Sequence, residues 1–393
     1  MGERRICHLL LNFKPARLFV GVFWDRFVNI GSHESRDVLL VAKGPYSAPG
    51  QRAKRDLQDY NRLLSPPMKM DHQGRFIRRS LRKDRFFLFL LLLIGASVGW
   101  WALQVSGWGT WKTAGRETGQ VAHKELTEIS GIAVSRRNRD ILWAHNDSGG
   151  FARVFALRPD GSTAGVFRLA EARARDWEDL AIGPGPQADS DYLYVADTGN
   201  NALTREIVTV YRVPEPDIGP DATTASRRLT GVEALPFRFP GRPHECETLL
   251  VDPLTSDLYL VSRDRHTKQG GMSSVFLSSA PQEPGVIRSL ELVARFAAPD
   301  EIKGGDLSPD GRLVVLRAHS MTRQVKALLW SWDRGTESLS NVFQRPGIGI
   351  PARHEPQGEA IAFTPDRQGY FTISEGQGAS IYRYDLPAGI LSP

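Results

Sequence analysis

A short phrase recurs five times between residues 120 and 386, and a chain built on such a repeat has few folds open to it. Each copy sets an acid beside a short apolar run, turns, and passes through a second apolar run into a polar cluster. The copies open at Glu128-Ile-Ser-Gly-Ile-Ala133, Trp177-Glu-Asp-Leu-Ala-Ile182, Glu247-Thr-Leu-Leu-Val251, Gly305-Asp-Leu-Ser308 and Gly358-Glu-Ala-Ile-Ala-Phe363. The acids Glu128, Glu178, Glu247, Asp306 and Glu359 stand 50, 69, 59 and 53 residues apart. Periods of roughly 40 to 50 residues made of short strands mark propeller blades, and the longer intervals call for insertions. The expected fold is all-β, a β-propeller over 120–386 with five visible blades, five or six in all.

Strand signals fall in register within the copies. The first run is apolar on both faces, as a buried inner strand must be. Ser308-Pro-Asp-Gly311, Thr364-Pro-Asp366 and Asp252-Pro253 then supply turn chemistry. Third strands are expected at Arg153-Val-Phe-Ala-Leu157, Val208 to Val213, Ser274 to Leu277, Ala327 to Trp332 and Ser380 to Tyr384. Outer strands are expected at Val166 to Leu169, Leu235 to Phe239, Leu290 to Phe296 and Asn341 to Phe343. No outer strand remains for the last blade after Tyr384, so the stretch around Gln120 to Leu126 is expected to close the ring and cover the edge.

Upstream of the repeats the chain changes character. Residues 1 to 85 hold 18 Lys and Arg against 8 Asp and Glu, a balance of +10, which leaves −4 for residues 86 to 393. The basic character therefore belongs to the N-terminal segment, and the folded part is not expected to bind nucleic acid. Residues 86 to 103 are 18 uncharged, mostly apolar residues that follow the basic run Arg78 to Arg85 and reach Trp100 and Trp101. That pattern reads as a transmembrane signal anchor, with 68–85 as its basic cytoplasmic flank and 104–119 as a linker. A cleaved signal peptide is the alternative, although no A-x-A site follows. Either way, everything after Leu103 is expected outside the cytoplasm: a single-pass protein of the cell membrane, its propeller monomeric. Residues 1–67 show no lasting periodicity. They are expected to be a mis-assigned or disordered extension, the natural start lying at Met68 or Met70. Cys7 and Cys246 offer no disulfide framework and no cysteine-based metal site.

The repeats carry their own chemistry by position. First strands of a propeller line its central channel, so equivalent residues converge on the axis, and Glu128, Glu178, Glu247, Asp306 and Glu359 would face one another. Like charges at close range raise each other's pKa unless a cation neutralises them, and Ca²⁺ or another hard divalent cation suits a carboxylate ring. The alternative is that each acid caps its own blade or pairs with Arg263, Lys303 or Arg317. The ends of the second strands add a ligand mouth of Asn146, Asp147, Asp197, Asn200, Asn201, Asp264 and Glu375, with His145 and His319 as candidate acid/base groups. Asp147-Ser-Gly and Asp197-Thr-Gly echo an aspartic-protease phrase but fall where repeat turns are expected. No Walker loop, G-x-S-x-G elbow or H-E-x-x-H occurs.

Glu128-Ile-Ser-Gly-Ile-Ala133, Asp176-Trp-Glu-Asp-Leu-Ala181 and Gln357-Gly-Glu-Ala-Ile-Ala362 resemble the blade-opening phrases of exported bacterial phytase-like and calcium-dependent propellers. The resemblance spans about residues 120–386. It implies a propeller with phosphoester or ester chemistry, although that family usually has six blades. Two functions from different classes follow: a cation-dependent hydrolase of a small ester or phosphoester, and a non-catalytic propeller that binds a glycan, peptide or envelope partner.

Overall fold

The computed structural model describes residues 9–13 and 16–20 and, from 115 to 390, all but 149, 220–225, 264–270, 299, 320–326 and 387–389. The chain divides into two compact units, 1–92 and 93–393. In the first, β1 (Leu9–Phe13) and β2 (Ala16–Val20) pair antiparallel with Leu9 opposite Val20. The expected span 86–103 lies outside the described residues, and among those described no helix is long and apolar enough to cross a membrane.

The second unit is a five-bladed β-propeller. It opens with β3 (Arg116–Gln120). Blade one holds β4 (Ile129–Val134), β5 (Leu142–Asn146), β6 (Arg153–Leu157) and β7 (Thr163–Leu169). Blade two follows with β8 (Asp179–Pro184), β9 (Asp191–Asp197), β10 (Ile207–Pro214) and β12 (Glu233–Arg238), its connection carrying β11 (Ser226–Leu229). Blade three has β13 (Cys246–Val251), β14 (Leu258–Ser262), β15 (Gly271–Ser278) and β17 (Glu291–Ala298), with β16 (Arg288–Ser289) in its connection. Blade four has β18 (Glu301–Leu307), β19 (Leu313–His319), β20 (Ala327–Ser331) and β21 (Ile348–Ile350). Blade five has β22 (Gly358–Phe363), β23 (Gly369–Ser374) and β24 (Ser380–Asp385), with β3 outermost. The inner strands β4, β8, β13, β18 and β22 touch in succession around the ring.

Each blade interface buries its own apolar cluster, and this is what makes one unit of five sheets. Trp143, Trp177 and Tyr211 fill the gap between blades one and two. Tyr194, Phe237 and Phe276 fill the next. Phe296, Trp330 and Phe343 pack between blades three and four. Phe363, Tyr370 and Tyr384 lie between four and five, and Leu126, Phe155 and Phe371 complete the ring between five and one. Burial of this kind is the main favourable term in folding.

The long intervals in the repeat also find their cause. β11, supplied by blade two, adds parallel to β7 at the outer edge of blade one, and β16, supplied by blade three, adds parallel to β12 of blade two. The insertions thus cover edges that would otherwise stay open. Two expectations move. Asn341 is not in an outer strand but in the short helix α1 (Leu339–Val342), where Leu339 and Val342 are buried, and Ile348–Ile350 takes the edge instead. The ring-closing strand lies in 116–120 rather than 120–126, so it begins within the segment read as linker. Ser380 pairs with Gln120 and Arg383 with Arg116, so the two ends of the repeat region share one sheet.

Candidate functional site

The inner strands carry a β-bulge near the mouth end of the channel. The register shifts between Cys246 and Thr248, between Ile302 and Gly304, between Gly358 and Ala360, and between Ile129 and Ile132. A bulge re-aims the extra residue's side chain. The residues so placed are Glu247, Lys303, Glu359 and Ser130, and Glu178 occupies the matching place just before β8, its N–H donating to Ala196 O at 2.9 Å.

These five form a ring. Lys303 Nζ lies 2.9 Å from Glu247 Oε2 and 2.7 Å from Glu359 Oε1. Ser130 Oγ is 3.3 Å from Glu359 Oε2 and 2.5 Å from the Glu178 carbonyl oxygen, so one hydroxyl reaches both neighbouring blades. Arg263 adds a second cation to Glu247 through Nη1. Among the described residues, no Lys or Arg nitrogen lies within salt-bridge distance of Glu178.

Three of the five expected acids therefore converge and two do not. Glu128 is exposed, two residues before the ring position held by Ser130, and its carbonyl accepts the Asp147 N–H at 2.8 Å. Asp306 lies three residues past Lys303, where Oδ2 accepts the Phe363 N–H at 2.8 Å and ties blade four to blade five. Asp179 does the same from blade two to blade three, accepting the Leu249 N–H at 2.9 Å. Burial pushes Asp306 up to about 7. The expected mouth residues also divide. Asn146 Oδ1 accepts the N–H groups of Thr127 and Glu128, Asn200 Oδ1 accepts those of Thr204 and Arg205, and Asp197 pairs with Arg205 at 2.9 Å, so these three hold loops. Asn201 is exposed and its Oδ1 accepts from Arg263 at 2.6 Å, while Asp264 lies outside the described residues. Of the pairing cations, Arg263 and Lys303 meet channel acids, whereas Arg317 pairs with Glu355 at 2.9 Å.

The remaining mouth residues, Asp147 and Glu375, face the ring. Oxygens of Asp147, Asp176 and Glu178 lie within 4.8 Å of one another, and so do oxygens of Glu178, Glu245 and Glu247. Asp176 and Glu245 were not among the expected ligands. Both stand two residues before a ring glutamate, in Asp176-Trp-Glu178 and Glu245-Cys-Glu247, and that acid-x-acid spacing was the signal available in the sequence. Burial, reinforced by Asp176, Glu359 and Glu247, pushes Asp147 up to about 8. Burial also lifts Glu178 well above the ordinary carboxylate range, with Glu247, Asp147 and Glu245 adding to it. Glu247 rises to about 7 through burial, against the pull of Lys303 and Arg263, and Glu375 to about 7 through burial and Glu359.

His145 is fully buried, its ring edge-on to Trp177 at 5.6 Å, and burial lowers its pKa to about 4. Its Nδ1 lies 2.9 Å from the Asn146 carbonyl oxygen, so the ring is set into the core beside the mouth loop. His319 is partly exposed at the end of β19, opposite Glu301.

The donor set fits a hard divalent cation. Ca²⁺ takes oxygens at 2.3–2.6 Å, so ligands across it stand about 5 Å apart, matching both triads. Glu245 Oε1 is buried without a hydrogen-bond partner, 4.0 Å from Arg263 Nη2. Gly199 closes the other side, since a Cβ there would stand 2.2 Å from Glu178 Oε1 and 2.4 Å from Asp176 Oδ2.

No family model and no curated protein matches the sequence. Among solved structures, a chain of the crystal structure of a mitotic checkpoint complex is similar at 14% identity and a TM-score of 0.31, over 65% of this chain and 61% of that one. This chain thus spans less than two thirds of that protein's length. The five-blade assignment rests on the sheet topology alone.

Proposed function

We propose that the propeller binds a divalent cation, Ca²⁺ foremost, at the mouth of its channel through Asp147, Asp176, Glu178, Glu245 and Glu247, and presents it to an oxygen-rich ligand outside the cytoplasm. The observation that carries this reading is the convergence of two carboxylate triads on Glu178, with the buried Glu245 Oε1 no nearer than 4.0 Å to its one cation, Arg263, among the described residues. Melting the full-length protein after chelation and after re-addition of Ca²⁺ tests it. Stabilisation of about 2.7 kcal/mol is expected when free metal is roughly 100 times its dissociation constant. A curve blind to Ca²⁺, Mg²⁺ and Mn²⁺ sinks the proposal.

A bound divalent cation would supply polarisation of an ester or phosphoester oxygen. The hydrolytic reading is favoured by Glu375, a carboxyl at the same mouth and outside the ligand set, which burial and Glu359 push up to about 7 and which can deliver its proton to a leaving group. Hydrolysis of model esters or phosphoesters that tracks bound metal and falls in Glu375→Gln supports it. Metal binding without turnover leaves a ligand-binding module for a glycan, peptide or envelope partner.

The phytase-like kinship and the membrane anchor over 86–103 belong to the same proposal, the anchor resting on the basic run Arg78 to Arg85 ahead of the apolar span. A reporter active only in the cytoplasm, fused after Pro393, is expected to stay silent; a bright one overturns export.

A further inference from the structure

On the face opposite the channel mouth, the β4–β5 turn of blade one and the β22–β23 turn of blade five enclose a cleft of about 560 Å³. That is within the range of ligand pockets. Val134, Leu142 and Phe371 give it an apolar floor, and Arg137, Arg139 and Arg383 stand on its rim. Among the described residues the rim arginines pair with surface acids: Arg137 with Asp217 at 3.6 Å, Arg139 with Asp140 at 3.4 Å and Arg383 with Asp385 at 3.1 Å. Exposed pairs of this kind are weak, so an incoming carboxylate can replace them.

The turn that carries two of these arginines is held unlike its counterparts. In blades four and five the same turn is fastened locally, by Ser308 with Asp310 and by Thr364 with Asp366. In blade one the equivalent Ser135 accepts the Asn138 N–H at 2.6 Å and also donates to Glu215, a buried acid from blade two. Glu215 also accepts the Arg137 N–H at 3.1 Å, Asn138 Nδ2 at 3.2 Å and Trp143 Nε1 at 2.8 Å. Asn138 continues to Pro216 O at 3.0 Å and accepts from Ile218 N at 3.1 Å. A long-range buried carboxylate thus fixes the backbone of a turn whose Arg137 and Arg139 side chains point to solvent while Arg136 pairs with Asp191 at 3.1 Å, which is the preorganisation a recognition loop needs.

We propose that this cleft between blades one and five docks a peptide segment in which acidic residues alternate with aliphatic ones. The aliphatic side chains enter the floor and the carboxylates meet the arginine rim. Asp140 and Asp366 also line the cleft. They would repel a uniformly anionic chain such as a nucleic acid, whereas a peptide places its few charges between apolar contacts.

Fluorescence anisotropy of the full-length protein with a labelled nonapeptide alternating Glu and Leu is the test. Saturable one-to-one binding is expected, weakened with salt and lost by roughly tenfold or more in the Arg137→Glu, Arg139→Glu double variant. Arg383→Glu, on the other blade, is expected to weaken it independently, and since Arg137 and Arg139 are exposed, melting should not change in their double variant. No saturation below millimolar peptide overturns the proposal, as does equal binding by the variants. Equal affinity for an all-Glu peptide, or displacement by inorganic phosphate, reassigns the cleft to small anions. Tighter binding of single-stranded RNA reassigns it to nucleic acid.

Discussion

Deleting Arg116–Gln120 from the full-length chain should lower the melting temperature of the propeller by about 10 °C or more and make it prone to aggregate. β3 pairs with β24 from Gln120 opposite Ser380 to Arg116 opposite Arg383. Thr118 Oγ1 also donates to Ile381 O at 3.2 Å. Several ladder bonds at roughly 1 kcal/mol each disappear with the strand, and 1 kcal/mol moves the midpoint of a domain near this size by about 2–4 °C. The edge left behind is long and apolar, with Ile381, Tyr382 and Tyr384 on it, the kind that pairs with other chains. A subtler variant separates strand pairing from ring closure. Gly119 lies so close to blade one that a Cβ would stand 2.1 Å from the Asp160 backbone. Gly119→Ala should therefore unseat the strand from blade one while its pairing with β24 remains possible, and lose part of the same stability. If both variants melt within error of the unaltered chain, the velcro between the ends does not hold the ring.

Much of this architecture was readable because the repeat is a statement about periodicity. Apolar inner strands followed by second apolar runs recur in every copy, with Pro- and Asp-bearing turns between them in three, and all five blades followed from them. Two outer features were not readable. Arg288–Ser289 is a two-residue strand and Ser226–Leu229 is Arg-rich and largely exposed, so neither has the apolar pattern of a strand; pairing with a neighbouring blade makes them strands. Asn341-Val-Phe343 failed for the opposite reason. Its apolar residues suit a strand, but Val342 and Phe343 are buried through a single helical turn among Phe296 and Trp330.

The site was legible to within an offset of two or three residues. An acid in each copy was the visible mark, and aligning copies by their acids placed Glu128 and Asp306 in the ring. The bulge register places Ser130 and Lys303 there instead. A bulge shifts the face of every residue beyond it and leaves no trace in hydrophobic periodicity. Lys303 could not have been anticipated from acids alone. It supplies inside the ring the positive charge that its two glutamate neighbours need, whereas Asp147, Asp176 and Glu178, among the described residues, have no Lys or Arg within salt-bridge distance.

The buried carboxyls at the channel mouth should make the metal-free protein lose stability as pH rises. Carboxyls of Asp147, Glu178, Glu247 and Glu375 have pKa values raised on folding, so the folded state holds their protons more tightly than the unfolded chain. Stability is then fully present below the unfolded values near pH 4 and is lost as pH climbs through the folded ones, about 7 for Glu247 and about 8 for Asp147. For Glu247 alone the rise from 4.5 to about 7 corresponds to about 3 kcal/mol, and the coupled carboxyls together should not exceed this by a simple sum. With chelator present, the midpoint is expected to fall by about 10 °C between pH 5 and pH 8. Saturating Ca²⁺ should flatten that slope, with its largest effect at pH 8 and little at pH 5, where protons compete for the same oxygens. Glu178→Gln is the decisive variant because it removes a buried charge that no Lys or Arg within salt-bridge distance, among the described residues, offsets. At pH 8 without metal it should be firmer than the unaltered protein, and its response to Ca²⁺ should shrink. If Glu178 were instead a structural acceptor for its blade, Glu178→Gln would weaken the domain at every pH and leave the metal response intact.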